Sequence, residues 1–580
     1  MPETLDQLFL LSFLGILALW FAFERGLSLM MFFQQEEYDG PRFVRWLREK
    51  NGYDKVASLW LLLAGSISVG AHTIFSHGTL INSLGLALLI LISTAFVHGI
   101  IRSRAVRQGS KKPLVRTTRA NRILTVYMLL SLGGLILLFF ASRVAPKGEH
   151  YTLGITANAE NWMDVFSFHE FAYNWTIVAL CFLFILFCQS LPGLLVTANK
   201  LLEPMEERVK ARFRKEAMEK FAKLQPKVIG ITGSFGKTST KHILSHILEA
   251  AAPTLATPGS VNTDMGITRV IRESLKPEHQ YFIVEMGAYG PGSIARLCKL
   301  TPPDVGLITA VGAAHYERFK SLETVSHAKF ELAEEVFKKG GTVVVSTDGI
   351  DAALLADRIA DIPGTYITAG HGGDVCLDTL EQTEDGLTLS IKECGETHIL
   401  KVPLFGQHQS GNILLAASCA RAIGLPWVAI KGALASVPQI KHRLEVSKNS
   451  SGPTLVNDAY NSNPVGFASA LASMDALVKP GGRRILVTPG MVELGNKHAE
   501  EHSRLGHLAA KHCDIILIVT PDRIPTFVAG VTAANKGDVT IMTFMKQDEA
   551  EAWAKENWRM NDVILFENNL PDLYEARFSF

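Results

Sequence analysis

A glycine turn followed by Lys-Thr-Ser is the segment of the sequence with the clearest chemistry. The run Lys227–Thr232 (KVIGIT) has the pattern of a short buried strand, and Thr240–Ala252 has that of a helix. A turn between a strand and a helix aims backbone N–H groups at phosphate. Lys237 would reach the outer phosphates, and the Thr238 hydroxyl would ligate magnesium. The predicted nucleotide-binding residues are Gly233, Ser234, Phe235, Gly236, Lys237, Thr238 and Ser239.

This turn departs from the strict P-loop pattern at one position. The pattern G-x-x-x-x-G-K-[ST] requires glycine at 231, where the chain has Ile231, and Gly230 stands one place earlier. A bare Gly-Lys-Thr also occurs in loops that bind nothing, so a purely structural loop is the alternative interpretation. The strand before the turn and the helix after it favour phosphate binding.

Several segments after the glycine turn resemble the motifs of one enzyme family and occur in the same order. The spacing GITGSFGKTS resembles the ATP loop of the Mur ligases, which form amide bonds in peptidoglycan assembly. Later segments are similar to motifs of the D-alanyl-D-alanine-adding branch of that family, and the similarity covers roughly residues 227–510. These segments are PGSVNTDMGI (258–267), YFIVEMGAYGPGSI (281–294), AAHYERFKSLETVSHAKFELAE (313–334), VPLFGQHQSGNILLAASCA (402–420), VNDAYNSNPVGFASAL (456–471) and MVELG (491–495).

The resemblance implies roles for individual side chains, each of which taken alone has an ordinary structural explanation. The family position of Lys329 is carbamoylated by CO2, which turns a cation into an anion that helps to hold one of two magnesium ions. That reaction needs a neutral amine, so the site must lower the lysine pKa. The implied catalytic residues are Lys237, Lys329 and His315, the metal ligands Thr238, Glu285, His315 and Lys329, the additional ATP contacts His408, Asn412, Arg443 and Asp458, and the acceptor contacts Asn262 and Thr263.

The elements before residue 200 are those of a membrane protein. Hydrophobic residues make up 48% of the chain and charged residues only 19%. Runs of about 20 apolar residues are long enough to cross the hydrocarbon layer as helices. Buried helices of a soluble protein are the alternative interpretation. Five predicted spans contain no Lys, Arg, Asp or Glu: Leu8–Phe23, Ala57–Phe75, Leu80–Ile101, Ile123–Ser142 and Trp175–Thr197.

The basic residues predict an orientation for these spans. Lys and Arg are concentrated in the segments after the first and third spans, whereas the loop after the second span has none. The positive-inside rule places basic loops in the cytosol. The N-terminus is therefore predicted outside the bacterial inner membrane, and everything after residue 200 is predicted in the cytosol.

The predicted fold is a five-span helical bundle, an α/β ATP-binding domain and a smaller Rossmann-like α/β domain. The boundaries are 1–200 for the spans, 201–226 for an amphipathic linker helix, 227–440 for the ATP-binding domain and 441–580 for the last domain. The linker is predicted from helically spaced apolar residues among charges, namely Met205, Val209, Phe213, Met218 and Phe221. With a net charge of +1, the chain lacks the overall positive electrostatic field that would attract nucleic acid.

Two features differ from the family pattern. The spans stand where soluble members have a domain for the UDP part of their substrate. In the last domain, Gly490 replaces a family Asp, and the acidic stretch Phe566–Asp572 replaces a basic loop. Both changes affect the predicted binding of the acceptor and the amine, not the predicted ATP chemistry.

We therefore predict a membrane-anchored, ATP-dependent ligase that joins a carboxylate to an amine through an acyl phosphate. Its predicted partners are a lipid-linked or cell-envelope acceptor, an amino acid or short peptide as the amine, and membrane lipids. One alternative is the addition of D-alanyl-D-alanine to UDP-MurNAc-tripeptide. An alternative of another class is a P-loop ATPase that drives transport, and a third is a degenerate binding scaffold.

Overall fold

The chain divides into two units, Met1–Arg208 and Val209–Leu570. The computed structural model describes residues 2–50, 52–74, 78–108, 110, 112–144, 168–312, 319, 321–448, 451–460, 463–492, 494–535 and 537–569.

The first unit is built from helices. Their apolar faces share one buried cluster, in which Phe21, Phe33, Phe96 and Tyr127 are among the largest fully buried side chains. The helices are α1 (Pro2–Gln35), α2 (Gly40–Glu49), α3 (Lys55–Ile74), α4 (Gly78–Gln108), α5 (Thr118–Val144) and α6 (Phe168–Leu224), the last of which continues into the second unit.

Four stretches of the described residues are long and apolar enough to cross a membrane. The predicted span Ala57–Phe75 falls on α3, where the apolar stretch within the described residues is the shorter Lys55–Ser68, and Phe75 lies outside them. The count of five spans therefore stays a prediction. The four stretches are Ser12–Gln35, Ala87–Gln108, Thr118–Leu138 and Val178–Leu224.

A layer of paired charges, in which Glu24, Arg25 and Asp54 are buried and Arg104 is half exposed, joins the helices of the first unit. Glu24 of α1 accepts hydrogen bonds from Arg104 and Arg107 of α4, with 2.9 Å between Arg104 Nε and Glu24 Oε1. Next to it, Arg25 forms an ion pair with Asp54 at 3.3 Å, and both side chains are buried. The apolar stretch of α1, Ser12–Gln35, therefore continues past the predicted end of the first span at Phe23 and includes both Glu24 and Arg25. Charges are tolerated here because each has a partner of opposite sign.

The predicted linker helix is the last part of α6 and not a separate element. α6 runs unbroken for 57 residues and contains Pro192 and Pro204. In its last turns Ala217 is fully buried against the core of the second unit, whereas Met218, predicted on the apolar face, is 49% exposed. The small side chain of Ala217 allows the helix backbone to approach that core closely.

The second unit begins with a nine-stranded sheet in the order β2-β3-β1-β4-β5-β6-β7-β8-β9. Pairing is parallel from β2 to β7 and antiparallel from β7 to β9. Buried clusters cover both faces of the sheet, as continuous apolar strands require. The strands are β1 (Lys227–Thr232), β2 (Thr254–Ala256), β3 (Tyr281–Glu285), β4 (Val305–Ile308), β5 (Thr342–Ser346), β6 (Thr365–Ala369), β7 (Val375–Thr383), β8 (Gly386–Glu393) and β9 (Glu396–Val402).

Within the described residues, one helix follows each of β1 to β5, and two helices follow β9. They are α7 (Lys237–Glu249), α8 (Asp264–Ser274), α9 (Ser293–Leu300), α10 (Leu322–Phe337), α11 (Ala352–Asp361), α12 (Gln409–Ile423) and α13 (Trp427–Leu434).

A smaller six-stranded sheet follows, in the order β10-β11-β15-β12-β13-β14, and only its edge strand β10 is antiparallel to its neighbour. The two sheets with their helices confirm the two predicted α/β domains in this part of the chain. The strands are β10 (Glu445–Ser447), β11 (Thr454–Asp458), β12 (Arg484–Thr488), β13 (Ile515–Val519), β14 (Thr540–Phe544) and β15 (Val563–Glu567). The helices are α14 (Pro464–Leu477), α15 (His498–His512), α16 (Pro525–Ala534) and α17 (Gln547–Asn557), with 3-10 turns at Gly495–Lys497 and Pro521–Arg523.

The charge layer of the first unit predicts a stability effect. Glu24→Gln removes the carboxylate that two arginines share, which should lower the free energy of unfolding by about 3 kcal/mol. Thermal unfolding of the full chain in detergent measures it. Glu203→Gln, at an exposed position of α6, is the matched control and should unfold like the parent. Equal melting temperatures for the two variants would contradict the role of Glu24.

Candidate active site

The glycine turn opens at the carboxyl end of β1, between β3 and β4. The Ser234 backbone N–H donates to the Ala310 carbonyl at 2.8 Å, which ties the turn to the end of β4. Gly233 has a φ of 153°, and a Cβ there would lie 1.9 Å from Thr309 Oγ1. Only glycine allows this close approach, so the turn is held in the conformation that leads directly into α7.

Lys237 folds back over the turn that precedes it. Its Nζ donates to the carbonyl oxygens of Gly233 at 2.6 Å and Ser234 at 3.3 Å. Burial lowers the pKa of Lys237, whereas the nearby Glu285 carboxylate raises it. The ammonium group therefore lies at the turn where the sequence predicts phosphate.

Glu285 is the acidic group nearest to this turn. It ends β3, is 1% exposed and pairs in register with Ile231 of β1. Thr238 Oγ1 donates to its two carboxylate oxygens at 3.0 and 3.2 Å. Hydroxyl and carboxylate oxygens are the ligands that magnesium prefers, so Thr238 and Glu285 fit the predicted metal site. No cluster of three or more His, Cys, Asp or Glu side chains in the described ranges could hold a metal by itself.

Lys241 belongs to this cluster, although the sequence analysis missed it. Its Nζ lies 2.8 Å from Glu285 Oε2 and also donates to the Gly259 carbonyl. Lys241 stands one helical turn after Lys237, on the same face of α7, and that spacing was the available signal. Burial lowers the pKa of Lys241, and Glu285 opposes that shift. The carboxylate is thus shared between a lysine and the predicted metal ligand Thr238.

Lys329 lies on α10 and is 4% exposed. Burial lowers its pKa well below the ordinary value, and the positive charge of Lys237 lowers it further. Both influences favour the neutral amine, which is the form that reacts with CO2. The environment of Lys329 therefore meets the condition for a carbamate. His315, the other predicted metal ligand, lies outside the described residues.

The predicted contacts to adenine lie where α12 begins. Asn412 Oδ1 accepts from Thr240 Oγ1 at 3.1 Å, and Asn412 Nδ2 donates to Gln409 Oε1 at 2.8 Å. Asn412 therefore connects α12 to α7 in addition to any contact with a base. Burial and the charge of Arg443 lower the pKa of His408 to about 4, so its imidazole is neutral at pH 7.

The last domain contributes Arg443 and Asp458 to the same region. The Arg443 guanidinium lies 4.8 Å from the centroid of the Tyr460 ring, and its charge lowers the pKa values of Lys237 and Lys241. Asp458 Oδ1 accepts from the Leu444 backbone N–H at 3.1 Å, and burial raises the pKa of Asp458 to about 6. Arg443 therefore brings positive charge toward the glycine turn.

Neutral hydrogen bonds join the two domains around this region. The hydroxyls of Ser260 and Tyr460 are bonded to each other. In addition, the His408 backbone N–H donates to Ser469 Oγ at 3.3 Å, and Ser473 Oγ donates to Gln382 Oε1 at 3.4 Å.

The two predicted acceptor contacts have different environments. Asn262 Nδ2 lies 3.4 Å from Glu285 Oε1, and Asn262 Oδ1 accepts from the Tyr289 hydroxyl at 3.0 Å. Thr263 is the N-cap of α8, where its hydroxyl accepts from the Gly266 backbone N–H at 3.4 Å. Asn262 is therefore part of the Glu285 cluster, and Thr263 fixes the start of the helix beside it.

The Mur ligase family accounts for both domains of the second unit. The family model described as "Mur ligase middle domain" matches residues 231–420, and "Mur ligase, glutamate ligase domain" matches residues 442–567. A UDP-N-acetylmuramoyl-tripeptide--D-alanyl-D-alanine ligase of Mycobacterium bovis is 30% identical over 359 residues, which cover 58% of this chain and 69% of the relative. The chain belongs to the Mur ligase family. The predicted family, and with it the class of amide-bond-forming ligases, is confirmed.

Other Mur ligases cover the chain to a similar extent. The ligase of the same name from Synechocystis is 34% identical over 58% of this chain and 71% of its own length. For the relative from Mycobacterium leprae, the chain spans 59% of the length at 32% identity. The MurF ligase of Thermotoga maritima, solved in complex with ADP, has a TM-score of 0.55 at 25% identity and covers 63% of this chain and 82% of its own. ATP as the nucleotide agrees with these findings.

The burial of Lys329 predicts how activity responds to its removal. Lys329→Ala should reduce ADP release about 100-fold, because it removes the amine on which the predicted anionic carbamate would form. Added acetate should restore part of the rate by occupying the vacated anion site, whereas Lys329→Arg should stay inactive.

Lys338→Ala is the matched control for this experiment, because Lys338 is an exposed lysine at the end of α10. It should retain parental activity and should not respond to acetate. Full activity in Lys329→Ala would show that this lysine carries no carbamate needed for turnover.

Proposed function

We propose that this Mur ligase uses ATP to join the terminal carboxylate of UDP-N-acetylmuramoyl-tripeptide to the amine of D-alanyl-D-alanine. The observation that carries the proposal is the cluster of Lys237, Thr238 and Glu285 at the glycine turn of a chain similar to ligases of that name. The names of the relatives favour this substrate over the lipid-linked acceptor that the spans suggested.

The reaction divides into two displacements. The substrate carboxylate attacks the γ-phosphate of ATP, which gives an acyl phosphate and ADP. The amine then attacks the acyl carbon, the phosphate leaves, and the amine loses a proton. Because phosphoryl transfer depends on positioning and charge neutralisation, the groups that matter most are Lys237 at the turn and Arg443 from the last domain.

Thr238, Glu285, His315 and the predicted carbamate of Lys329 would together hold the two predicted magnesium ions. When bound, magnesium supplies positive charge to the phosphate oxygens. Lys241 also fits this proposal, since its Nζ lies 2.8 Å from Glu285 Oε2 and its positive charge offsets the cost of burying that carboxylate. The membership in the Mur ligase family favours this ligase over a transport ATPase or a degenerate scaffold.

A membrane-bound acceptor is the second candidate. It is favoured by the four apolar stretches long enough to cross a membrane, of which Val178–Leu224 continues directly into the second unit. A lipid-linked muramoyl peptide presents the same carboxylate, so the catalytic cluster would act on it in the same way.

The two acceptors can be compared in one assay. We expect the full chain in detergent to release ADP only when UDP-N-acetylmuramoyl-tripeptide and D-alanyl-D-alanine are both present, and mass spectrometry should detect their condensation product. Lys237→Ala should be inactive because the turn loses its positive charge. A product formed only with the lipid-linked peptide would establish the second candidate, and no product with either acceptor would overturn the proposed ligase reaction.

For localisation, we propose a multi-pass protein of the bacterial inner membrane, with its N-terminus outside and its catalytic domains in the cytosol. The basic segments after the first and third predicted spans support this orientation. A reporter fused at Ser110 should be active inside the cell, and one fused at Gly154, a position outside the described residues, should be active outside. The reverse result at either position would overturn the orientation.

A further inference from the structure

The last turns of α6 hold α8 at both of its ends. We call the part of α6 in the second unit, Val209–Leu224, the docked segment. Arg214 Nε donates to Asp264 Oδ2 at 2.6 Å, where α8 begins. At the other end, Lys220 Nζ donates to the Arg272 carbonyl at 2.8 Å, and Glu216 forms an ion pair with the Arg272 side chain at 2.8 Å. These contacts fix α8 along its whole length.

Apolar packing supports these polar contacts. Ala217 is fully buried, and the Arg272 guanidinium lies 4.1 Å from the centroid of the Phe213 ring. The side chains of Arg214 and Asp264 are 35% and 19% exposed, so water screens their attraction less than in an ordinary surface pair. Asp264 also occupies the first turn of α8, where a negative charge is favourable.

The start of α8 is connected to the catalytic cluster. Thr263 caps the helix, and Asn262 precedes that cap directly. The Gly287 backbone N–H donates to the Asn262 carbonyl at 2.9 Å, and Asn262 Nδ2 points to Glu285 at 3.4 Å. A displacement of the first turn of α8 would therefore move Asn262 relative to Glu285.

We propose that Arg214 is a positioning residue for the acceptor: through Asp264 it holds the first turn of α8 so that Asn262 and Thr263 present their side chains to the acceptor. This inference rests on the proposed function, because it takes Asn262 and Thr263 as acceptor contacts. The match to the Mur ligase middle domain begins at residue 231, so the docked segment lies outside it.

The first test separates the acceptor from the nucleotide. Arg214→Gln should raise KM for UDP-N-acetylmuramoyl-tripeptide about tenfold, the effect of losing one charge-assisted hydrogen bond, and leave KM for ATP within about twofold. Lys215→Gln is the matched control, since it removes the same charge from the neighbouring, exposed position. It should leave both constants unchanged, whereas Arg214→Lys should restore part of the acceptor affinity.

The second test does not depend on the acceptor. Hydrogen–deuterium exchange of the full chain should show faster exchange in residues 258–267 of Arg214→Gln than of the parent or of Lys215→Gln, with β1 and β3 unchanged. If the parent does not use the UDP-linked peptide, the proposed function fails, and this exchange result decides whether Arg214 holds α8.

Three outcomes would overturn the inference. One is parental exchange in residues 258–267 of Arg214→Gln. Another is faster exchange with an unchanged KM for the acceptor in an active parent, which would assign Arg214 a structural role only. The third is an equal rise in KM for ATP and for the acceptor, which would indicate general loosening of the domain.

Discussion

The site depends on one buried carboxylate, that of Glu285. A charge removed from water in this way is stable only if several donors surround it. Thr238 and Lys241 supply two of them from α7, and Asn262 approaches from the segment before α8. The start of α7, which follows the glycine turn directly, and the segment before α8 are therefore fixed relative to one another, because both supply hydrogen-bond donors to the Glu285 carboxylate.

Local spacing was sufficient to predict the glycine turn with Lys237 and Thr238, whereas the roles of Glu285 and Lys329 were predicted from the family resemblance. The turn and its lysine depend on contacts within a few residues, and the parallel neighbours β1 and β3 bring Glu285 to the turn. Lys241 was missed because its role arises only when β3 pairs with β1. The burial of Ala217 instead of Met218 likewise depends on the surface against which α6 packs. The two α/β domains were predicted from the ordered motifs that resemble the Mur ligase family, not from local spacing alone.

In the first unit, the pattern of apolar residues alone is insufficient to predict where a helix ends. A hydropathy pattern ends a span at the first charged residue, yet α1 continues through Glu24 and Arg25 because partners on α4 and before α3 neutralise them. Those partners are distant in sequence, so no local pattern could identify them. Similarly, α6 has no break at the predicted boundary between the last span and the linker. It is one continuous helix despite Pro192 and Pro204.

The neutral hydrogen bonds between the two domains have a consequence for how the contact between these domains responds to salt. Salt screens the attraction between charged groups but leaves bonds between hydroxyls, amides and backbone groups nearly unchanged. The contacts from Ser260 to Tyr460 and from Gln382 to Ser473 are of this second kind, whereas Lys237 and Arg443 would attract the nucleotide by charge. High ionic strength should therefore weaken nucleotide binding and the exposed ion pairs of Lys448 with Glu384 and Asp385, while the hydroxyl and amide contacts continue to hold the two domains together.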